Sequence, residues 1–197
     1  MIFQQLFSTI GFSNAYLVGP RGGGDALLVD PGEFDAAMLN AIEANGLRLR
    51  WILVTHAHRA HVAGIRGLLR VYDPEIYCNQ PSVLEEPARH VQDGDRLALG
   101  EIAVEVIELP GHSIDSLCFV VGRMLFSGDT LSAGGIGRTR DAQAQGLMLS
   151  GIRKRLLGLD DDFLLFPGHG PPSLIGVERR FNPFLSEAPP QPAAAAT

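Results

Sequence analysis

Histidine placement is the most informative chemical feature of this 197-residue sequence. Five of the six histidines come shortly after apolar segments: His56, His58, His61, His112 and His169. Asp30 and Asp129 follow apolar segments in the same way, whereas His90 lies elsewhere. Imidazole is the commonest neutral metal ligand, and a histidine cluster with a carboxylate suits zinc, iron or manganese. These residue types predict a metal centre.

A structural role is the alternative for each histidine taken alone, because a single histidine after a strand is more often a hydrogen-bonded structural residue. Five histidines in such positions favour metal binding, since each would otherwise be a costly polar group at a buried edge. We therefore prefer the metal interpretation for the set.

The spacing of the first three histidines indicates more than one metal position. Alternate residues of an extended segment point the same way, so His56 and His58 can hold one ion together. His61 lies three residues further on, at the start of a predicted helix, and can face the same cavity from another angle. Asp129 could bridge two neighbouring positions, because a carboxylate has two oxygens to share.

Alternating strand and helix patterns predict a single α/β domain over residues 1–186. Apolar runs predict strands over residues 14–18, 25–29, 51–54, 76–78, 102–107, 117–121, 124–126 and 163–166. Apolar residues at helical spacing predict helices over residues 35–45 and around residues 62–69 and 149–156. Because buried strands end together at one edge of a sheet, where α/β proteins bind ligands, we expect the polar residues after them to converge.

Composition narrows the class of protein and its partners. A hydrophobic fraction of 46% allows one well-buried core, and a net charge of −6 argues against sequence-independent nucleic-acid binding. We see neither a signal-peptide pattern nor an apolar run of about 18 residues, so we expect a cytoplasmic protein without membrane association. The proline- and alanine-rich segment at 187–197 is predicted to be a disordered tail.

Four short motifs make the sequence resemble the metallo-β-lactamase-fold hydrolases, and within them the glyoxalase II (hydroxyacylglutathione hydrolase) branch. The family patterns are THxHxDH, PGH, GDT and GHG. In this chain they read THAHRAH, PGH, GDT and GHG at residues 55–61, 110–112, 128–130 and 168–170. Further similarity covers residues 135–139 and 178–185, so the resemblance extends over nearly the whole chain. It implies an αββα sandwich of two mixed β-sheets flanked by helices.

The resemblance also implies a set of metal ligands. Site one would comprise His56, His58 and His112, and site two His61 and His169, with Asp129 as the bridging ligand. Asp129 and His61 would take a direct part in catalysis, and Asp30 would orient ligands from outside the metal shell. The implied cofactor is zinc, as one or two ions, with iron or manganese as alternatives.

One ligand position departs from the family pattern. The aspartate that precedes the third histidine in the family is Ala60 here. Alanine has no side-chain oxygen, so the implied second site is weakened while site one keeps three imidazoles. A smaller departure places Asp115 in the segment HSIDS at 112–116, either as a solvated loop residue or as a replacement carboxylate for the site.

The resemblance implies a metal-dependent hydrolase of thioesters such as S-lactoylglutathione, acting through a metal-activated water. The partner would be a small acyl or thioester substrate, with glutathione-derived compounds as candidates. A mononuclear iron persulfide dioxygenase of the same fold is the alternative enzyme, with His56, His112 and Asp129 as its iron ligands. A degenerate metal-binding protein without activity is the third hypothesis.

Overall fold

Two six-stranded mixed sheets form the centre of the protein in the computed structural model, which describes residues 1–185. In order of pairing, the strands of the first sheet are β1 (Ile2–Phe7), β2 (Asn14–Gly19), β3 (Gly24–Val29), β4 (Leu47–Leu53), β5 (Glu75–Cys78) and β8 (Arg89–His90). Those of the second sheet are β16 (Ser173–Leu174), β15 (Leu164–Pro167), β12 (Met124–Gly128), β11 (Leu117–Val121), β10 (Ile102–Glu108) and β9 (Arg96–Leu99). Two short hairpins pair β6 (Ser82–Val83) with β7 (Glu86–Pro87) and β13 (Leu131–Ser132) with β14 (Gly135–Ile136).

Helices cover the outer faces of both sheets and complete four layers. They are α1 (Ala36–Glu43), α2 (Arg59–Val62), α3 (Ile65–Leu68), α4 (Ala142–Gly151), continued by a π-helical stretch (Ile152–Leu156), and α5 (Ile175–Phe181). The helices α1 to α3 pack on the first sheet, and α4 and α5 on the second. This arrangement confirms the predicted αββα sandwich. Among the described residues, no helix is both long enough and apolar enough to cross a membrane.

Strand β2 shows why the central strands are apolar on both faces. Its side chains alternate across the sheet, as the extended backbone requires. Ala15 and Leu17 pack under the helices of the first sheet, whereas Tyr16 and Val18 enter the core between the two sheets. Burial on both sides leaves no solvent face to select polar residues, and an uninterrupted apolar run results.

Several elements differ from the sequence prediction. Strand β1 was not predicted, because its sequence IFQQLF carries two glutamines in an edge strand that buries only part of its surface. Helix α5 was also missed, and the apolar stripe at 62–69 forms two short helices instead of one. The predicted tail at 187–197 lies outside the described residues.

Candidate metal centre

Five strands place the predicted site residues at one edge of the sandwich. The loops after β3, β4, β10, β12 and β15 carry Asp30, the first three histidines, His112, Asp129 and His169, respectively. Asp129 lies at the centre of the group. Its carboxylate oxygens are 3.9 Å from His56 Nε2, 3.4 Å from His61 Nε2, 3.5 Å from His112 Nε2 and 3.5 Å from His169 Nε2. The sequence therefore identified residues that the fold brings together.

Among residues 1–185, two sets of three ligand atoms are compact enough to hold a metal ion. One comprises His56, His58 and His112, and the other His56, His61 and Asp129, with the atoms of each set within 4.8 Å of one another. Ligand atoms about 2.0–2.1 Å from a tetrahedral zinc ion lie about 3.3 Å apart. The distance of 3.0 Å between His58 Nδ1 and His112 Nε2 is close to that value.

The first set coincides with the predicted site one, whereas the second differs from the predicted site two. His56 takes part in both sets, and His169 belongs to neither. The side chain of His169 is 40% exposed, compared with 11% for His112. His169 thus faces Asp129 from the rim of the site. The assignment of all six residues as ligands stays a prediction.

Hydrogen bonds outside the cluster orient three of the imidazoles. Nδ1 of His112 lies 2.8 Å from the carbonyl oxygen of Arg138, and Nδ1 of His169 lies 3.0 Å from that of Phe12. Nδ1 of His56 lies 3.1 Å from Thr55 Oγ1, whose hydroxyl donates to Asp30. An Nδ1–H that donates outward leaves the Nε2 lone pair to face the cluster, which is the usual arrangement of a metal-binding histidine.

Buried polar atoms without partners show that the cluster fits a cation. His56 Nε2, His61 Nε2 and Asp129 Oδ1 are buried and find no hydrogen-bond partner within residues 1–185. Leaving such atoms unsatisfied costs about 1–3 kcal/mol each, so a native site of this kind calls for a ligand. Burial, together with nearby His61, lowers the pKa of His56 to about 2, which keeps its imidazole neutral and able to bind metal.

Asp30 supports the site from outside the cluster, as predicted for a residue that orients ligands. Its carboxylate accepts hydrogen bonds from the backbone N–H and the hydroxyl of Thr55, at 2.7 and 2.6 Å. It also lies 3.3 Å from Nδ1 of His61. Burial opposes protonation of His61, but contacts with Asp129 and Asp30 outweigh it and raise its pKa to about 10. The two carboxylates thus favour positive charge at this position.

Two glycines, Gly128 in the GDT motif and Gly168 in the GHG motif, lie too close to site residues to carry a side chain. A methyl group on Gly168 would lie 2.4 Å from Asp129 Oδ1 and 2.6 Å from His61 Cε1. Gly128 has a φ of +50°, and a methyl group there would lie 2.4 Å from Thr55 Oγ1. Because these backbones touch the site residues directly, the glycines of GDT and GHG set the spacing of the cluster.

The loop between β1 and β2 packs against Ala60, and sequence reasoning missed this contribution. A methyl group on Gly11 would lie 2.6 Å from Ala60 Cβ, and the Ser13 hydroxyl donates to the Ala60 carbonyl at 2.5 Å. Asn14 Nδ2 donates to the carbonyls of Pro167 and Gly170, which fixes the loop that carries His169. The polar pair Ser13–Asn14 at the start of an apolar strand was the feature of the sequence that could have indicated this contribution.

Asp115 connects two ligand-bearing loops. Its Oδ2 accepts a hydrogen bond of 2.9 Å from the backbone N–H of Ala57, the residue between His56 and His58. Asp115 belongs to neither compact ligand set. Asp115 is thus a partly exposed loop residue that holds the HAH segment beside the loop that carries His112.

Replacing Asp115 by alanine should weaken metal binding by about 10-fold, because loss of a group that positions a ligand commonly costs 10- to 100-fold in affinity. Asp115→Asn retains an acceptor oxygen and should restore most of the affinity. The measurement is a metal titration of both variants against the parent, with Asp73→Ala, which alters an exposed aspartate before β5, as the control. Equal affinities for parent and Asp115→Ala would contradict the positioning role.

A cavity of about 490 Å³ opens onto the cluster. His112, Asp129 and His169 form its floor, and Gly11 and Arg138 belong to its walls. Its volume lies within the range of about 300–1,000 Å³ typical of small-molecule sites. The fold thus combines a candidate metal cluster with space for a small substrate.

A four-layer sandwich with a histidine-rich cluster at its strand ends defines the class of metallo-β-lactamase-fold proteins. Residues 8–169 match the family model of the metallo-beta-lactamase superfamily, and the chain belongs to that superfamily. Hydroxyacylglutathione hydrolase GloC of Haemophilus influenzae is 32% identical over 186 residues, which cover 82% of this chain and 88% of that protein. The resemblance found in the sequence is thereby confirmed.

Solved structures share both the fold and part of the sequence. ETHE1 from Myxococcus xanthus has a TM-score of 0.82 at 28% identity, covering 93% of this chain and 84% of that one. A second protein, solved in a di-iron-bound form, has a TM-score of 0.78 at 31% identity, covering 94% of this chain and all of its own. That neighbour holds iron, so the fold alone does not select zinc.

Proposed function

We propose that the protein is a metal-dependent hydrolase that cleaves thioesters such as S-lactoylglutathione. The observation that carries the proposal is the set of His56, His58 and His112, whose ligand atoms lie within 4.8 Å of one another and whose His112 lines an accessible cavity together with Asp129. The similarity to hydroxyacylglutathione hydrolases supports the thioester as substrate. Residues 1–186 are proposed to act as one catalytic domain.

The chemistry requires water to add to the thioester carbonyl carbon and the carbon–sulfur bond to break. The products are a carboxylate and a thiol. A bound divalent ion would polarise the carbonyl oxygen and lower the pKa of a coordinated water. Zinc fits the three-imidazole set, and iron and manganese fit the same donors.

Asp129 is suited to orient the attacking water. Burial opposes its ionisation, but contact with His61 and the other histidines lowers the pKa of the carboxyl well below its usual range. Asp129 is therefore an acceptor at neutral pH and can hold a water proton through a carboxylate oxygen. His61 lies between the two carboxylates, with Nδ1 3.3 Å from Asp30 and Nε2 3.4 Å from Asp129.

The substrate can approach along the cavity wall that carries Arg138. The Arg138 carbonyl fixes His112, and Arg138 is an exposed arginine among the residues that line the cavity. A peptide-like thiol such as glutathione carries carboxylates, which a guanidinium can bind with two parallel hydrogen bonds. This wall therefore suits the thiol part of a glutathione thioester.

A thioesterase assay on metal-loaded protein tests the proposed function. We expect measurable but slow hydrolysis of S-lactoylglutathione, because Ala60 removes one group that could hold the nucleophile. Loss of a single group of that kind typically lowers the rate by about 10²–10³-fold. Absence of turnover with every thioester tried, combined with oxygen consumption on glutathione persulfide, would overturn the proposal.

A mononuclear iron dioxygenase acting on persulfides is the second candidate. Nε2 of His56 and of His112 lie 3.9 and 3.5 Å from Asp129 Oδ2, so two histidines and one carboxylate converge as non-haem iron sites require. Loss of the second site through Ala60 is compatible with this reaction. Metal analysis separates the candidates, because zinc, as one or two ions per chain, favours the hydrolase, and one iron ion per chain favours the dioxygenase.

A further inference from the structure

Another cavity of about 490 Å³ is also lined by His112. It is a groove between the loop that carries His112 and helix α4, and we call it the α4 groove. Ile114, Arg140 and Leu147 are its largest lining residues apart from His112. Since His112 also lines the metal cavity, the two cavities meet at a candidate metal ligand.

The walls of the α4 groove expose aliphatic side chains. Ile114 is 84% exposed and Leu147 is 55% exposed. Ala144 and Leu147 are three residues apart on helix α4 and therefore share one face, which is turned toward the loop. Exposed aliphatic side chains that line a concave surface next to a reactive centre indicate contact with an apolar part of a ligand.

The loop that presents Ile114 is held in place. Ser113 Oγ and Ser116 Oγ are 2.7 Å apart, and Asp115 accepts the Ala57 N–H at the opposite side of the loop. At its base the loop touches helix α4, since a methyl group on Gly111 would lie 2.4 Å from Met148 Cβ. Ile114 is therefore exposed on a loop whose position is fixed by these contacts.

Arg140, which lines the α4 groove, forms an ion pair with its neighbour Asp141. Its Nε lies 3.0 Å from Oδ2 of Asp141, which also caps helix α4 by accepting the Ala144 N–H. The guanidinium charge is thereby partly compensated. The groove thus differs in character from the wall of the metal cavity near Arg138.

We propose that the α4 groove binds an aliphatic acyl chain of the thioester substrate. This inference rests on the proposed hydrolysis. With the carbonyl carbon at the metal cluster, the polar cavity near Arg138 accepts the thiol part, and the acyl chain passes His112 into the groove. Ile114 and Leu147 then determine specificity, and the protein prefers thioesters with an acyl chain of several carbons over a two-carbon or three-carbon acyl group.

Binding of thioethers tests the groove without any turnover. S-hexylglutathione and S-methylglutathione share the thiol part and differ only in the alkyl chain, and neither can be hydrolysed. Burial of one methylene group increases affinity about 4-fold. We therefore expect metal-loaded protein to bind S-hexylglutathione at least about 10-fold more tightly in calorimetry, with the difference reduced several-fold by Leu147→Ser and by Ile114→Ser.

The control is Val177→Ser on helix α5, which removes an exposed aliphatic side chain outside the groove and should leave the preference unchanged. Equal affinities for the two thioethers, or a preference that both groove variants retain, would overturn the inference. Failure of the proposed function can be told apart from failure of this inference. It would appear as absence of thioester hydrolysis, whether or not the protein binds one thioether more tightly than the other. If hydrolysis occurs, kcat/KM should rise with acyl chain length in the parent and less so in Leu147→Ser.

Discussion

Replacing His112 by alanine should remove most of the bound metal and nearly all hydrolytic activity, with at least about a 100-fold loss of metal affinity. His112 belongs to the compact set with His56 and His58, and its Nε2 lies only 3.0 Å from His58 Nδ1. The Arg138 carbonyl fixes its ring, so little reorganisation is needed to bind an ion. Loss of this imidazole leaves that set with two ligands.

His169→Ala should have a smaller effect on metal content. His169 lies outside both compact sets, and its side chain is more exposed than that of His112. The loss of metal should be smaller because water can replace an imidazole at the rim of the site more readily than a buried one. His56→Ala should cause the largest loss of bound metal among these variants, since His56 takes part in both sets.

The measurement is metal content per chain after identical loading and dialysis, together with the rate on a thioester. His90→Ala is the matched control, because His90 is an exposed histidine bonded to the Asn79 carbonyl, away from the site. It should behave as the parent protein does. Equal losses in His112→Ala and His169→Ala would show that the two positions contribute equally, contrary to this ranking.

The order of apolar runs predicted one α/β domain and the convergence of the site residues, and the family resemblance carried by the motifs implied the αββα sandwich. The reason is that apolar runs buried on both faces must be central strands, and the polar residues after them must share an edge. The motifs PGH, GDT and GHG placed His112, Asp129 and His169 correctly at that edge.

Long-range contacts were not predictable in the same way. The packing of Gly11 against Ala60 joins residues 49 positions apart, and the bond from Asp115 to Ala57 joins residues 58 apart. Neither residue type indicates its partner, since glycine and aspartate are both ordinary in loops. The edge strand β1 was missed because its half-exposed glutamines resemble a loop.

Restoring the carboxylate by Ala60→Asp should raise metal content toward two ions per chain and accelerate thioester hydrolysis by about 10²-fold. His61 Nε2 and Asp129 Oδ1 are buried atoms without hydrogen-bond partners, so a second cation at this position lacks only further donors to complete its shell. An aspartate at position 60 would add a carboxylate next to His61 in sequence. Its charge would also offset that of the second ion.

The structure identifies the obstacle to this variant. Gly11 lies so close to Ala60 that a methyl group on Gly11 would be 2.6 Å from Ala60 Cβ, so we expect a longer side chain at position 60 to press on the loop between β1 and β2. Glu33 anchors that loop by accepting hydrogen bonds from the N–H and the hydroxyl of Thr9, at 2.8 and 2.9 Å. Combining Ala60→Asp with Glu33→Ala should release this loop. If packing of the loop alone prevents the second ion from binding to Ala60→Asp, the double variant should bind it.

Four proteins are compared under identical metal loading: the parent, Ala60→Asp, the double variant and Ala63→Asp. Ala63→Asp adds the same charge three residues further on, at the end of helix α2. It should change neither the metal content nor the rate of thioester hydrolysis. An increase in Ala60→Asp or in the double variant alone would show that the second position retains its function and lacks only a ligand. If neither binds more metal nor turns over faster, the cluster operates with one ion, and the iron dioxygenase becomes the preferred function.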